Sequence, residues 1–328
     1  MKVAQPPEWA QQRHLWIGFP HLADEWPGCL EAAQAEITAF AVAVAQGGEP
    51  VRLICRNREN ADRARATIGS DIDGIIIDTL PYGDIWLRDT GPLVVHDSTG
   101  SAVALRFGFN GWGGKYLMPG DQEIGALLAK EAGLPIRHSN WVLEGGAIDT
   151  DGTGLVVTTE QCLLNRNRNP TLSRDDIETR LKRDLGFDQI LWLGDGLIND
   201  HTDGHVDNLA RFVAPGRLAL PAPSGVDDPN ATIYDDAARR AEHFGLDVVR
   251  IPSPGRVERD GMIQPASHMN FVITNRRVIV PVYGTAHQDA ALTALAECFP
   301  GREIFGLPAN AILAGGGSFH CASQQMPQ

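Results

Sequence analysis

Short apolar stretches alternate with amphipathic ones from end to end of this chain, and no low-complexity segment, long charge block or linker interrupts them. That alternation confines the chain to the α/β class, and one domain over residues 1–328 fits it best. Strands are predicted at Val51–Cys55, Gly74–Asp78, Ala102–Phe107, Gly154–Thr158, Gln189–Leu193, Leu246–Ile251 and Arg277–Val282, all short and apolar, many with branched residues. The clearest helix follows Ser173, a residue able to cap exposed N–H groups; Ile177, Leu181 and Leu185 then recur every fourth position until Gly186 supplies a stop. Further helices are expected at about Leu30–Val44, Gln122–Ala132, Asp235–Phe244 and Gln288–Phe299.

Gly-containing turns beside polar residues recur at four places, and these hold the candidate chemistry. The first is Trp86-Leu87-Arg88-Asp89-Thr90-Gly91-Pro92, where Asp89 is expected at the junction of a strand and a turn, projecting into a cleft. On this segment alone, an Asp that caps a turn or pairs with Arg88 is the better reading. The second, Trp141-Val142-Leu143-Glu144-Gly145-Gly146, ends an apolar strand on a carboxylate, and its glycines permit close approach of a ligand. Glu144 fits a buried partner for positive charge as well as it fits an exposed strand end.

The third segment, Gly204-His205-Val206-Asp207-Asn208, puts an imidazole and a carboxylate two residues apart. In a strand both would share one face, and the anion would raise the imidazole pKa. The fourth, Gly315-Gly316-Gly317-Ser318-Phe319-His320-Cys321, spends three consecutive glycines just before a cysteine, which implies a tight bend. In an extended segment His320 points away from the face carrying Cys321, so the base has to come from elsewhere, and His205 is the best supplied. An adjacent imidazolium would lower the thiol from its usual value of about 8.5. Taken alone, Cys321 reads more readily as a buried structural thiol.

Five scattered cysteines without CxxC spacing argue against a disulfide framework and a structural zinc site. The 28 Lys+Arg against 41 Asp+Glu, a formal charge of −13, disfavours nucleic acid and suits a cationic ligand, although solubility alone accounts for such a balance. No apolar run approaches a membrane span, and the first residues lack the features of a signal or transit peptide, so a cytoplasmic location is expected.

With these residues in hand, the sequence resembles the agmatine deiminase family, within a wider guanidine-modifying group that includes arginine and peptidyl-arginine deiminases. The likeness lies in the four segments above, taken in order, together with Phe109-Asn110-Gly111-Trp112-Gly113-Gly114-Lys115-Tyr116, Asn167-Arg168-Asn169-Pro170, Asn270-Phe271, Val280-Pro281-Val282-Tyr283-Gly284 and Gln324-Gln325-Met326-Pro327. It implies a pentein-type α/β propeller, five strand-and-helix modules about a pseudo-fivefold axis, with the active site near that axis. Two departures, His268 before Met269-Asn270-Phe271 and Ala322-Ser323 after Cys321, bear on the pocket wall.

The resemblance implies a hydrolase in which Cys321 attacks a guanidinium carbon, Asp89 and Asp207 hold the guanidinium, Glu144 completes the acidic cradle and orients His205, and His205 moves the protons. No metal or organic cofactor is expected. The expected partner is a small cationic guanidine such as agmatine, with Trp112 as a wall for the cation, and a homodimer as the assembly. Deimination of free arginine or of peptidyl-arginine stays open. So do a metallohydrolase using the His201, His205, Asp207 string and a non-catalytic guanidine binder, each less favoured.

Overall fold

The computed structural model describes residues 3–69 and 72–328. Among the described residues its strands assemble into six small sheets: a two-stranded hairpin, Glu258–Arg259 with Met262–Ile263, and five that share one connection pattern. In each of the five, two strands pair antiparallel, and a crossover through a helix brings a third strand parallel to the second. The units run Leu93–Asp97, Ala102–Gly108 and Ile136–Val142; then Ile148–Thr150, Leu155–Thr159 and Gln189–Leu193; then Arg211–Ala214, Arg217–Ala222 and Asp247–Pro252; then Val272–Ile273, Arg277–Val282 and Glu303–Pro308. The fifth closes the chain on its own beginning, because Ser323–Pro327 pairs antiparallel with Gln12–Gly18, which pairs parallel with Val51–Cys55. The crossover helices are Asp121–Glu131, Arg174–Leu185, Ala231–Phe244, Gln288–Cys298 and Leu30–Gln46. The sheets remain separate among the described residues, so the architecture is mixed α/β with no closed sheet.

Local rules account for the helix Arg174–Leu185. Ser173 and Asp176 form a reciprocal capping box, Ile177, Leu181 and Leu185 are buried on one face, and Gly186 ends the helix at φ +83°. A Cβ on Gly186 would fall 1.8 Å from the Val3 carbonyl oxygen, so only glycine fits that stop. Each buried leucine or isoleucine contributes about 1.5–3 kcal/mol and the cap about 1 kcal/mol; Leu181→Ala would cost most, through the cavity it leaves. All seven predicted strands exist within a residue of their expected bounds, as do three of the five helices; Leu30–Gln46 runs two residues past its expected end at Val44, and Ala231–Phe244 begins four residues before its predicted start at Asp235. Among the described residues no helix is long and apolar enough to cross a membrane.

Two expectations about backbone form are corrected. Asp89 sits inside a short helix, Leu87–Thr90, rather than at a strand end. His205 does not begin a strand: it precedes the 3-10 turn Val206–Asn208, and the apolar strand starts only at Arg211. Gly204 at φ +85° and Asp203 at φ +63° turn the chain just before His205, which breaks the two-residue alternation the sequence suggested.

Candidate active site

Short connecting turns bring the candidate residues together. The closest meeting point is Gly146: a Cβ there would lie 2.6 Å from His205 Nδ1, 3.0 Å from Asp207 Oδ2 and 3.0 Å from Asp89 Oδ1. Its missing side chain is what admits the three groups, and its N–H donates to Asp89 Oδ1 at 2.9 Å. Asp89 Oδ2 accepts from Trp112 Nε1 at 2.9 Å, and His205 Nδ1 lies 3.6 Å from Asp89 Oδ1. Asp89, Trp112 and Cys321 line a cavity of about 530 Å³, its open mouth included. His205, Asp207 and Glu144 are fully buried behind it.

The triple glycine forms part of the cavity wall. A Cβ on Gly315 would meet Trp26 at 2.6 Å, one on Gly316 (φ +104°) would meet His201 Nδ1 at 2.8 Å, and one on Gly317 would lie 2.7 Å from the Trp86 ring and 3.0 Å from Cys321 Cβ. Backbone can therefore border the cavity where no side chain would fit. The remaining charged lining is acidic, Glu25 and Asp84, and no arginine or lysine lines the cavity among the described residues. Burial, with Asp121 and Glu25 adding repulsion against backbone hydrogen bonding, pushes Asp84 up to about 8.

The electrostatics correct the expected activation of Cys321. Its Sγ accepts from Asn270 Nδ2 at 3.1 Å and its thiol donates to Asp207 Oδ2 at 3.6 Å. Burial and the Asp207 and Asp89 charges push the thiol well above its usual value, so no neighbouring imidazolium lowers it in the free protein. The histidine is the cation instead: burial would lower His205, but Asp89, Cys162 and Glu144 outweigh it and raise it well above the ordinary range. Burial raises Asp89, while Asp207, although buried, is held below the usual carboxylate range by its hydrogen bond to His320.

Glu144 is more committed than its motif suggested. Its Oε1 accepts from Arg168 Nε at 2.7 Å with both side chains buried, and only Oε2 is left open. Open acceptors or donors also remain at Asp207 Oδ1 and at both His205 ring nitrogens, an unusual density of unpartnered buried polar atoms that fits a site shaped for a ligand. Glu144, Cys162 and His205 have donor atoms within 4.8 Å of one another, the one such group among the described residues. His201 stands outside that group, beside Tyr116 and Gly316, so the His201, His205, Asp207 string is not gathered into a ligand set.

The two sequence departures do not alter the cavity wall as expected. His268 is buried with Nδ1 2.8 Å from the Pro281 carbonyl, and Ala322 and Ser323 turn into the closing strand; none of the three lines the cavity. Three contributors went unrecognised in the sequence. Asn270 Oδ1 accepts from the His320 and Cys321 backbone N–H groups at 3.0 and 3.3 Å, fixing the nucleophile loop. Cys162 and Arg168 flank His205 and Glu144. Asn270 and Arg168 lie in segments noted above without a role, while Cys162 carries no local signal.

The family described as Porphyromonas-type peptidyl-arginine deiminase matches the chain over residues 4–327. An agmatine deiminase of Stutzerimonas stutzeri is 38% identical across 98% of this chain and 95% of its own length. One of Pseudomonas aeruginosa is 37% identical over the same shares. Among solved structures, the agmatine deiminase of Enterococcus faecalis superposes with a TM-score of 0.93 at 31% identity, covering 100% of this chain and 96% of that one. An amidinotransferase from Microseira wollei, at 13% identity and a TM-score of 0.58 over 99% of this chain and 97% of its own, shares the fold alone.

Proposed function

The chain belongs to the Porphyromonas-type peptidyl-arginine deiminase family, among its agmatine deiminases, and from that premise we infer that it hydrolyses agmatine to N-carbamoylputrescine and ammonia. The observation that carries the substrate is the cavity itself: thiol, carboxylates and aromatic rings, with no cation among the described lining residues. The α-carboxylate of free arginine would find no counter-charge there, whereas the ammonium tail of agmatine meets Glu25, the rings of Trp86 and Trp112, and Asp84, which is largely protonated near neutral pH in the free protein and ionises as the cation arrives.

In the proposed reaction the guanidinium displaces no existing ion pair. Asp89 retains lone pairs beyond those used by Gly146 and Trp112, and Asp207 Oδ1 is open, so both accept guanidinium N–H groups. The arriving cation supplies the positive charge that the Cys321 environment lacks, and the thiol ionises against it, its proton passing to solvent through the open cavity and ending on the released ammonia. The thiolate attacks the guanidinium carbon, and His205, charged beforehand by Asp89, gives its proton to departing ammonia. A covalent thiouronium on Cys321 remains. His205, now neutral, takes a proton from water; the resulting hydroxide attacks the carbon and releases the ureido product with the thiol restored. Glu144, whose carboxylate has an oxygen within 4.8 Å of a His205 ring nitrogen, helps orient the ring.

The five ββαβ units, with site residues drawn from the turns between them, support a propeller of five modules about a pseudo-fivefold axis as one catalytic domain over residues 1–328. A homodimer and a cytoplasmic location belong to the same reading. The test is a product assay with agmatine, free arginine and a blocked arginine peptide: turnover confined to agmatine is expected, and preference for either arginine substrate would move the assignment to that activity.

A further inference from the structure

His320 precedes the nucleophile, yet its ring takes no part in the reaction above, because both nitrogens are engaged elsewhere. Nδ1 lies 2.8 Å from Asp207 Oδ2 and Nε2 lies 2.9 Å from Glu8 Oε2. The three side chains come from the nucleophile loop, the turn after His205 and the start of the chain, 113 and 312 residues apart from His320 in sequence, and all are buried. Each ring nitrogen therefore faces a carboxylate oxygen.

Each end of this bridge is itself fixed. Glu8 Oε1 accepts from the Ile273 N–H at 2.7 Å, and Oε2 also pairs with Arg211, whose Nη1 donates to the Phe271 carbonyl at 2.7 Å. The His320 backbone is held too, its N–H by Asn270 Oδ1 at 3.0 Å and its carbonyl by Arg88 Nε at 3.3 Å. The ring therefore cannot swing away from Asp207 without breaking a network anchored on three other segments. At the Asp207 end one oxygen is taken and the other, Oδ1, is buried with no partner.

We propose that His320, braced by Glu8, is a positioning residue for the substrate-binding carboxylate of Asp207: it holds Oδ2 so that Oδ1 alone is presented to the guanidinium. The proposal rests on the guanidine-hydrolase reading of the site. It makes one face of the carboxylate structural and the other functional. It also explains a histidine beside the nucleophile that is turned away from the sulfur.

Two substitutions separate positioning from simple packing. An asparagine amide nitrogen falls near the place of Nδ1 and keeps the donor to Asp207, whereas a glutamine amide nitrogen falls near Nε2 and keeps the partner of Glu8. His320→Asn should retain kcat/KM for agmatine within about tenfold of wild type, and His320→Gln should lose about a hundredfold, with both corrected for folded fraction. Glu8→Gln keeps the size of the brace but sets a neutral amide against His320 Nε2 and the Arg211 guanidinium, weakening both holds, and should lose about tenfold, mainly in kcat. This third variant tests the clamp even if neither His320 variant folds. Equal activity per folded molecule in the Asn and Gln variants, or full activity in Glu8→Gln, overturns the clamp alone. Absence of wild-type agmatine turnover would instead overturn the functional reading, and the clamp with it.

Discussion

Asp207 Oδ2 lies 3.6 Å from Cys321 Sγ, so the nucleophile of the proposed reaction rests in the free protein against an anion. Burial and two carboxylates hold its proton on. Alkylation of Cys321 by iodoacetamide, followed by peptide mapping without substrate, should rise about tenfold per pH unit from about pH 7 to 9 without levelling. A plateau below about pH 8 would mean that a cation activates the thiol before substrate arrives.

Asp89→Asn removes a charge from the guanidinium cradle but keeps an oxygen for the Gly146 N–H. Losing one charge-assisted hydrogen bond, worth roughly 1.5–3 kcal/mol, should lower kcat/KM by about ten- to a hundredfold. Because burial and the charges of Asp207 and Glu144 oppose the Asp89 carboxylate while the His205 cation favours it, Tm should change little. A large fall in Tm with near-normal activity per folded molecule would make Asp89 a scaffold residue.

Much of the fold was legible because it rests on local rules. Ser173, the Ile177, Leu181, Leu185 stripe and Gly186 specify a helix from within about a dozen residues, and the central strands are continuous branched runs. The site was legible as a set of residues and illegible as geometry. Asp89 lies in a four-residue helix and His205 just before a three-residue 3-10 turn, elements too short to show any period, so the sequence pattern points to a strand end for the first and a strand for the second. Glu8, Cys162 and the bridging role of His320 left no trace, since their partners are remote in sequence: Glu8 meets His320 across 312 residues. The reversed electrostatics at Cys321 follow from burial and from Asp207, neither of which a motif records.

Trp112→Phe isolates one hydrogen bond. The aromatic wall is kept, while the 2.9 Å bond from Nε1 to Asp89 Oδ2 is lost and that oxygen is freed to rotate. Steady-state kinetics should show kcat/KM reduced by about tenfold. An unchanged value would make the ring a wall and nothing more. Trp112 also adopts φ +51°, in the left-handed region, so the backbone offers it no easy alternative seat.

Asp84 ties stability to pH through the tail end of the cavity. Its folded pKa, raised to about 8, lies above its value in the unfolded chain, so folding is progressively penalised as pH rises from about 4 to about 8 and the penalty is constant above that. Asp84→Asn removes the penalty and still accepts from the Ile85 N–H. Melting curves should show the variant gaining on wild type between pH 5 and pH 8, while KM for agmatine rises through loss of the ammonium's partner. A gain independent of pH, or an unchanged KM, would place Asp84 outside the tail site.

The central claim is covalent catalysis by Cys321, and the most direct measurement is intact-protein and peptide mass spectrometry of enzyme acid-quenched during agmatine turnover. The expected result is an adduct with the mass of agmatine less ammonia on the Cys321 peptide, absent from Cys321→Ser, which binds agmatine but does not turn it over. Turnover persisting in Cys321→Ser, or an adduct on Cys162 instead, would contradict it.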